Sequence, residues 1–207
     1  MRILRKLTIY GFSHPHKSDD CMMFIKAIFQ RLKESLECRL QAKMRSQQTL
    51  VDLTEKFILK QTKILNEFLE QHPFSFIDFI STALEFSFNF VFHEGTSMIF
   101  EGSNVTFTNF VIHCINLMKG ILSSNAYSTV FQKAVSPDIT KAFTAKQEFF
   151  TDERLSYICE KIIMHYFLLT QEDLDFWDAD PESYAIDEGG ESWIYALRVN
   201  ICFQIFI

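Results

Sequence analysis

Apolar residues recur at three- and four-residue spacing from Met22 through Ile25, Phe29, Leu32, Leu36 and Leu40, directly after Ser18, Asp19 and Asp20. That spacing lays one apolar stripe along one face of an α-helix. Ser18 suits an N-cap, and the two aspartates favour the positive N-terminal end of the helix. A second stripe begins near Leu50 and runs through Leu53, Phe57, Ile64 and Phe68, with Leu65 and Leu69 widening it. His72-Pro73 closes that helix, because a residue preceding proline disfavours the α region.

The next segment, 73–92, holds seven phenylalanines, and Phe76, Ile80, Ala83 and Val91 mark only its most apolar side. A helix so apolar all round must be covered on several sides, as happens in stacked helical layers. After a polar loop containing Gly95 and Gly102, a fourth helix reads from about Phe107 through Val111, Cys114, Met118 and Ile121. The pattern is weakest over 123–150, which reads as a loop region. A Ser/Asn linker opens it, followed by a short helix with Ser136 as N-cap and Pro137 at its first position. From Thr151 a further stripe runs through Leu155, Ile158, Ile162, Tyr166 and Leu169. Thr170 with Asp173 then forms a capping pair for one more short turn, ahead of an acidic loop over 171–191.

Apart from the short tail after Arg198, no segment alternates strictly between turn signals, so the chain reads as all-α. Helices joined by short turns, with a pair period of about forty residues, fall in the range of HEAT-type (armadillo-like) repeats. Composition agrees: 23 phenylalanines against 4 prolines and 6 glycines favour long elements with few breaks.

Charge adds an asymmetry that the net value of −6 conceals. Residues 1–63 carry 13 Lys and Arg against 6 acids, whereas 162–197 carry no Lys or Arg and 9 acids. The five cysteines, Cys21, Cys38, Cys114, Cys159 and Cys202, are widely spaced and lie mostly within apolar helical patterns, as reduced core thiols would. The opening MRILRKLTIYGF lacks the long apolar run and small-residue cleavage site of a signal peptide. Segment 73–92 has the length of a membrane span but carries Asp78, Glu85 and Asn89, so no membrane insertion is expected.

Catalytic chemistry finds little support. There is no Gly-rich phosphate loop, no nucleophile elbow, no Cys/His pair in a recognisable context and no paired Glu-x-x-His motif of a bundle enzyme. His14-Pro15-His16 beside Asp19, Asp20 and Cys21 offers metal-ligand types, but the spacing matches no zinc pattern and reads as a solvated loop. His72, His93, His113 and His165 read as helix-end or core residues. Lys26, Arg31, Lys33 and Arg39 alternate with Glu34 and Glu37 along one helix, which describes a solvated face and not a nucleic-acid surface. Neither an enzyme, a cofactor, a metal nor nucleic-acid binding is therefore expected.

The acidic stretch from Glu172 to Glu191 is the best functional candidate. Phe176, Trp177, Tyr184 and Trp193 are interleaved with its acids, so it could receive a basic protein surface and speed the encounter with one. The plainer alternative is a solvated loop whose aromatics anchor it on the helices.

Two stretches resemble the importin-β family of nuclear transport receptors: 7–39, LTIYGFSHPHKSDDCMMFIKAIFQRLKESLECR, and 165–184, HYFLLTQEDLDFWDADPESY. In the second, Leu169, Thr170, Glu172, Asp173, Trp177, Asp180, Pro181 and Glu182 follow a pattern that many members share. Residues 61–77, QTKILNEFLEQHPFSFI, are also similar, with more divergence over 93–150. The resemblance implies a right-handed HEAT-repeat superhelix that shuttles between cytoplasm and nucleus and carries protein cargo through the pore. It implies cargo exchange under the Ran GTPase and contact with Phe-Gly nucleoporins. In that setting Asp173, Asp175, Trp177, Asp178, Asp180 and Glu182 become the candidate cargo contacts, for a cargo of basic character. The phenylalanines serve mainly as packing, though some could line slots for Phe-Gly repeats.

Departures from the family matter too. Its Ran-binding arch belongs to an N-terminal part that this sequence does not include. After Tyr195-Ala196-Leu197-Arg198 the family continues into another repeat, whereas here VNICFQIFI follows. Residues 1–198 are thus read as a partial solenoid of about four to five helical pairs, with 199–207 as a divergent apolar tail of a truncated or mis-spliced product. Without polar capping repeats, its outer layers are expected to be adhesive. A helical-repeat interaction scaffold outside nuclear transport would show the same patterning.

Overall fold

The apolar stripes become helices stacked in two layers. The structure, a computed structural model, describes residues 2–101, 104–128, 136–167 and 171–184. In chain order the helices are α1 (Arg2–Tyr10), α2 (Asp19–Met44), α3 (Gln48–Gln71), α4 (Pro73–Phe76), α5 (Ile80–Phe92), α6 (Thr108–Ser123), α7 (Pro137–Phe149), α8 (Asp152–Tyr166) and α9 (Gln171–Ala179). Helix α2 pairs with α3, and α5 with α6. Helix α3 lies between α1 and α6 in one layer, and α5 meets α7 in the other. This is the all-α, HEAT-type arrangement anticipated from the pair period.

Local signals place the boundaries. The Ser18 hydroxyl accepts from the Cys21 amide at 3.3 Å, the Ser136 hydroxyl from Ile139 at 3.4 Å with Pro137 behind it, and the Thr151 hydroxyl from Arg154 at 3.2 Å. Each satisfies one of the amides that a helix start leaves unpaired. Helix α3 ends at Gln71, and His72 forms its cap ahead of Pro73. The α2–α3 turn closes as a Schellman motif: Gln47 N–H donates to Ala42 O and Ser46 N–H to Lys43 O, both at 2.9 Å. Ser46 there adopts φ 54°, a left-handed conformation that glycine usually supplies.

The weakly patterned region 123–150 contains a 3-10 turn, Asn125–Tyr127, and α7, which starts at the Ser136–Pro137 signal expected to open a short helix. The apolar segment 73–92 is broken into α4, a 3-10 turn at Ile77–Phe79, and α5. It is a core element covered by neighbouring helices, with Phe76, Ile80, Ala83 and Leu84 fully buried. The polar loop after α5 holds a 3-10 turn, Glu94–Met98, and a two-residue hairpin, β1 (Phe100–Glu101) with β2 (Asn104–Val105), that no alternation announces. Helix α1 was also unannounced. At Gly95 a Cβ would fall 2.6 Å from Phe90 Cδ1 and 2.8 Å from Phe90 Cα, so only glycine lets the loop fold back on α5.

The phenylalanines form a connected chain of rings through the core. Phe68 meets Phe76, Phe76 meets Phe79, Phe79 meets Phe29, Phe29 meets Phe86, and Phe86 meets Phe110, with centroids 6.0–6.3 Å apart. Phe107 stacks on Phe110 at 5.3 Å. Each such buried ring contributes about 1.5–3 kcal/mol by burial alone, which accounts for the unusual phenylalanine content.

The chain of rings ends on Arg39. Its guanidinium lies 4.6 Å from the Phe107 centroid, and only 1% of the residue is exposed. Nε donates to Glu55 Oε1 at 2.7 Å and Nη1 to Met98 O at 2.8 Å, while Nη2 reaches Thr106 O and Oγ1 at 3.4 Å. The expectation of a solvated face holds for Lys26, Arg31 and Lys33 but is wrong for Arg39. Position 39 lies three residues beyond Leu36 on the apolar stripe, so its charge is carried into the core and must find partners there.

Other corrections follow the same logic of helix register. Leu53 is 60% exposed and Phe57 half-buried, because the buried face of α3 runs through Val51, Thr54, Ile58, Gln61, Leu65 and Phe68. Leu155 is likewise exposed at the start of α8. Cys21 and Cys114 are buried thiols as expected, and burial raises the pKa of both. Cys38 and Cys159 are exposed, contrary to that expectation, and Cys202 lies outside the described residues.

Candidate functional site

The acidic segment read as a loop is helical where it is described: α9 spans 171–179, and residues 181–184 continue as a further helical turn. Asp180 joins the two. Its carboxylate accepts from the Ser183 amide at 3.0 Å and the Ser183 hydroxyl at 2.7 Å, and Pro181 occupies the first helical position. The Ser183 hydroxyl and then its amide hold the Asp180 carboxyl below the usual carboxylate range. Asp180 is therefore an N-cap as well as a surface charge.

Tyr184 is the anchor of this segment. It is buried, and its ring meets Phe176 and Trp177 edge-on at 5.7 and 5.3 Å. Trp177 is half exposed, and Leu174 and Phe176 also face solvent in part. Asp175, Asp178, Asp180 and Glu182 are exposed around them, and Asp173 is half-buried. The six anticipated contacts therefore lie on one short helical segment that offers apolar rings within a field of carboxylates. Such a surface can accept a basic side chain on its acids and the aliphatic stem on its rings. Trp193, Asp187, Glu188, Glu191, the Leu169–Thr170 pair and the tail 199–207 lie outside the described residues.

Helix α8, which precedes this segment, is riveted to α5. Tyr166 Oη donates to Val91 O at 2.6 Å and Tyr157 Oη to Phe92 O at 3.0 Å. Both carbonyls belong to the last turn of α5, where no further helical amide is available. The Arg154 guanidinium lies over Phe88 and Phe149, 5.1 and 4.4 Å from their centroids, and donates to Glu85 at 2.9 Å.

Register also exposes a feature that the apolar stripes concealed. Cys38, Ser35 and Glu34 of α2, with Leu53, Thr54 and Phe57 of α3, line an open groove of about 320 Å³. Leu53 and Phe57, assigned to the core by spacing, are instead its apolar floor. His14 precedes a 3-10 turn, Pro15–Lys17, that contains His16, and His16 Nδ1 lies 3.1 Å from Ser75 Oγ. Among the described residues, no cluster of three or more metal-ligand side chains forms.

No family model matches the chain. Human importin-11 is 43% identical over 201 residues, covering 96% of the chain, and mouse importin-11 is equally similar over the same span. The chain spans about one-fifth of the length of these curated relatives. Among solved structures, Lph2, a bidirectional nuclear transport receptor of S. cerevisiae, superposes with a TM-score of 0.78 at 18% identity, over 98% of this chain and 20% of that one. At that identity it speaks for the fold alone, and the fold it shares is the helix-pair stack described above. In sequence, then, this chain is similar along nearly its whole length to a one-fifth segment of importin-11.

Proposed function

We propose that this chain is a stretch of a nuclear import receptor of the importin-11 type, which binds protein cargo and shuttles with it between cytoplasm and nucleus. It works by binding and shape change, without chemistry or a cofactor. The observation that carries the reading is the 43% identity over 96% of the chain. Cargo of basic character docks on the acidic, ring-bearing surface of Asp173, Asp175, Trp177, Asp178, Asp180 and Glu182. Phe-Gly nucleoporins are the pore partners, and the groove floored by Leu53 and Phe57 suits an aromatic ring. Control by Ran rests on parts of the receptor outside these residues.

The test uses the complete receptor carrying Asp175→Asn, Asp178→Asn, Asp180→Asn and Glu182→Gln, a set that keeps an acceptor at the Asp180 cap. Affinity for a basic cargo should fall, and its dependence on salt should flatten. If neither changes, the acidic surface is not the cargo contact. Retention of the parent receptor on Phe-Gly repeats and on GTP-loaded Ran tests the transport reading; failure on both would leave a helical-repeat scaffold outside nuclear transport.

A further inference from the structure

Part of the basic surplus of the N-terminal third lies where α1 packs on α3. Lys56, Lys60 and Lys63 fall at i, i+4 and i+7 on α3, and all three are exposed. Arg2 and Arg5 of α1 meet this row, and together with Lys60, Lys63 and Ile64 they line a pocket of about 220 Å³. The site already holds one carboxylate: Arg5 donates through Nε and Nη2 to the two oxygens of Glu67, at 2.5 and 2.6 Å. That bidentate pair fixes Arg5 and leaves the other cations uncompensated. Among the described residues, Arg2, Lys60 and Lys63 enter no ion pair. The Lys63 charge is felt by half-buried His113, whose pKa is lowered by burial first and by Lys63 second.

Like charges at these helical spacings repel one another. The row is therefore a standing cost to the free protein that an anionic partner would relieve. We propose that the α1–α3 pocket is a docking site for an acidic segment of a partner protein, with a Glu or Asp carboxylate held between Arg2, Lys60 and Lys63. The pocket has room for one or two side chains. No exposed ring lines its walls, whereas single-stranded nucleic acid is held by stacking on such rings. The site is opposite in sign to the surface around Trp177, and it stands whether or not the transport reading does.

The experiment immobilises the full chain through its C-terminus at low density and measures binding of a labelled peptide of Glu, Asp and Leu. The comparison peptide is its Gln, Asn and Leu counterpart. Three double variants are compared with the parent: K60E/K63E, K60Q/K63Q, and K26E/K33E on the exposed face of α2. All four lysines are exposed, so the helical circular dichroism signal should be retained. The acidic peptide should bind, and K60E/K63E should weaken it about tenfold at low salt, with K60Q/K63Q between and K26E/K33E changing it less than about twofold. Equal losses in K60E/K63E and K26E/K33E would reduce the effect to net charge and overturn the site. Equal binding of the neutral peptide would overturn it too, as would stronger competition from an oligothymidine of equal charge than from unlabelled acidic peptide.

Discussion

Replacing Arg39 by alanine should be among the most damaging single changes to the fold. The side chain is buried, yet it carries a charge whose partners come from three places: Glu55 on α3, Met98 O at the end of the 3-10 turn, and Thr106 just after the hairpin. Breaking a buried ion pair by removing one partner costs about 3–5 kcal/mol. Two features favour the lower end. The Glu55 side chain is 27% exposed and regains water, and the Thr106 contacts at 3.4 Å are long. What persists is an unpaired Met98 carbonyl, the loss of the cation over Phe107 and the void left by the stem, so about 3 kcal/mol is expected. With a urea m-value of about 2 kcal/mol/M, the midpoint should fall by about 1.5 M with m unchanged. Arg39→Lys keeps the charge but not the planar fork and should cost about 1–2 kcal/mol. Urea unfolding followed by circular dichroism reads both. A midpoint for Arg39→Ala within about 0.3 M of the parent would refute the idea that this side chain ties α2 to the hairpin loop.

Tyr166→Phe removes only the hydroxyl that satisfies Val91 O and should lower stability by about 1–2 kcal/mol. Tyr157→Phe, at a half-buried site, should cost less; equal losses in thermal unfolding would mean that burial does not set the difference. Burial and Lys63 depress the folded pKa of His113 below the unfolded value of about 6.5. Below that pH the unfolded chain binds more protons than the folded one, so this residue erodes stability as pH falls until the folded pKa is passed. Stability measured from pH 7 to 5 should therefore decline less steeply in His113→Gln than in the parent, and parallel curves would refute the assignment.

Repeat architecture was legible because it rests on local periodicity. The stripes through Ile25 to Leu36 and Val111 to Ile121 bury as spacing demands, and Ser18, Ser136 and His72-Pro73 set boundaries by chemistry within a few residues of themselves. What escaped depends on which side of a stripe a second layer covers. Leu53 and Phe57 satisfy the same spacing as the true core of α3, yet each sits one residue, about 100° of rotation, round from it, and only α2 and α6 decide which face is closed. Arg39 escaped because composition labels arginine polar while register placed it inside. The candidate contacts around Trp177 were found as residue types, but their geometry depends on Tyr184 folding back onto Phe176 and Trp177, a contact that sequence spacing does not announce.

The same buried polar bonds explain how so apolar a stack keeps one register. Phenylalanine packing is nearly indifferent to a small slide between helices, because ring contacts at 5–6 Å are broad in orientation. A hydroxyl or guanidinium aimed at one carbonyl is not. Tyr127 on Pro73 O, Tyr166 on Val91 O and Arg39 on Met98 O each join a side chain in one part of the stack to a backbone acceptor in another, at 2.6–2.8 Å. A one-residue slip would leave each acceptor buried and unpaired, at about 1–3 kcal/mol apiece. The rings thus supply most of the burial energy while a few polar atoms select the arrangement. Since each unit touches mainly its neighbours, the basic pocket, where Arg5 holds Glu67, and the acidic surface, where Tyr184 packs on Phe176 and Trp177, are held by separate contacts. Altering one surface should leave the geometry of the other intact, which allows neutralisation of the acidic surface and charge reversal at the basic pocket to be read separately.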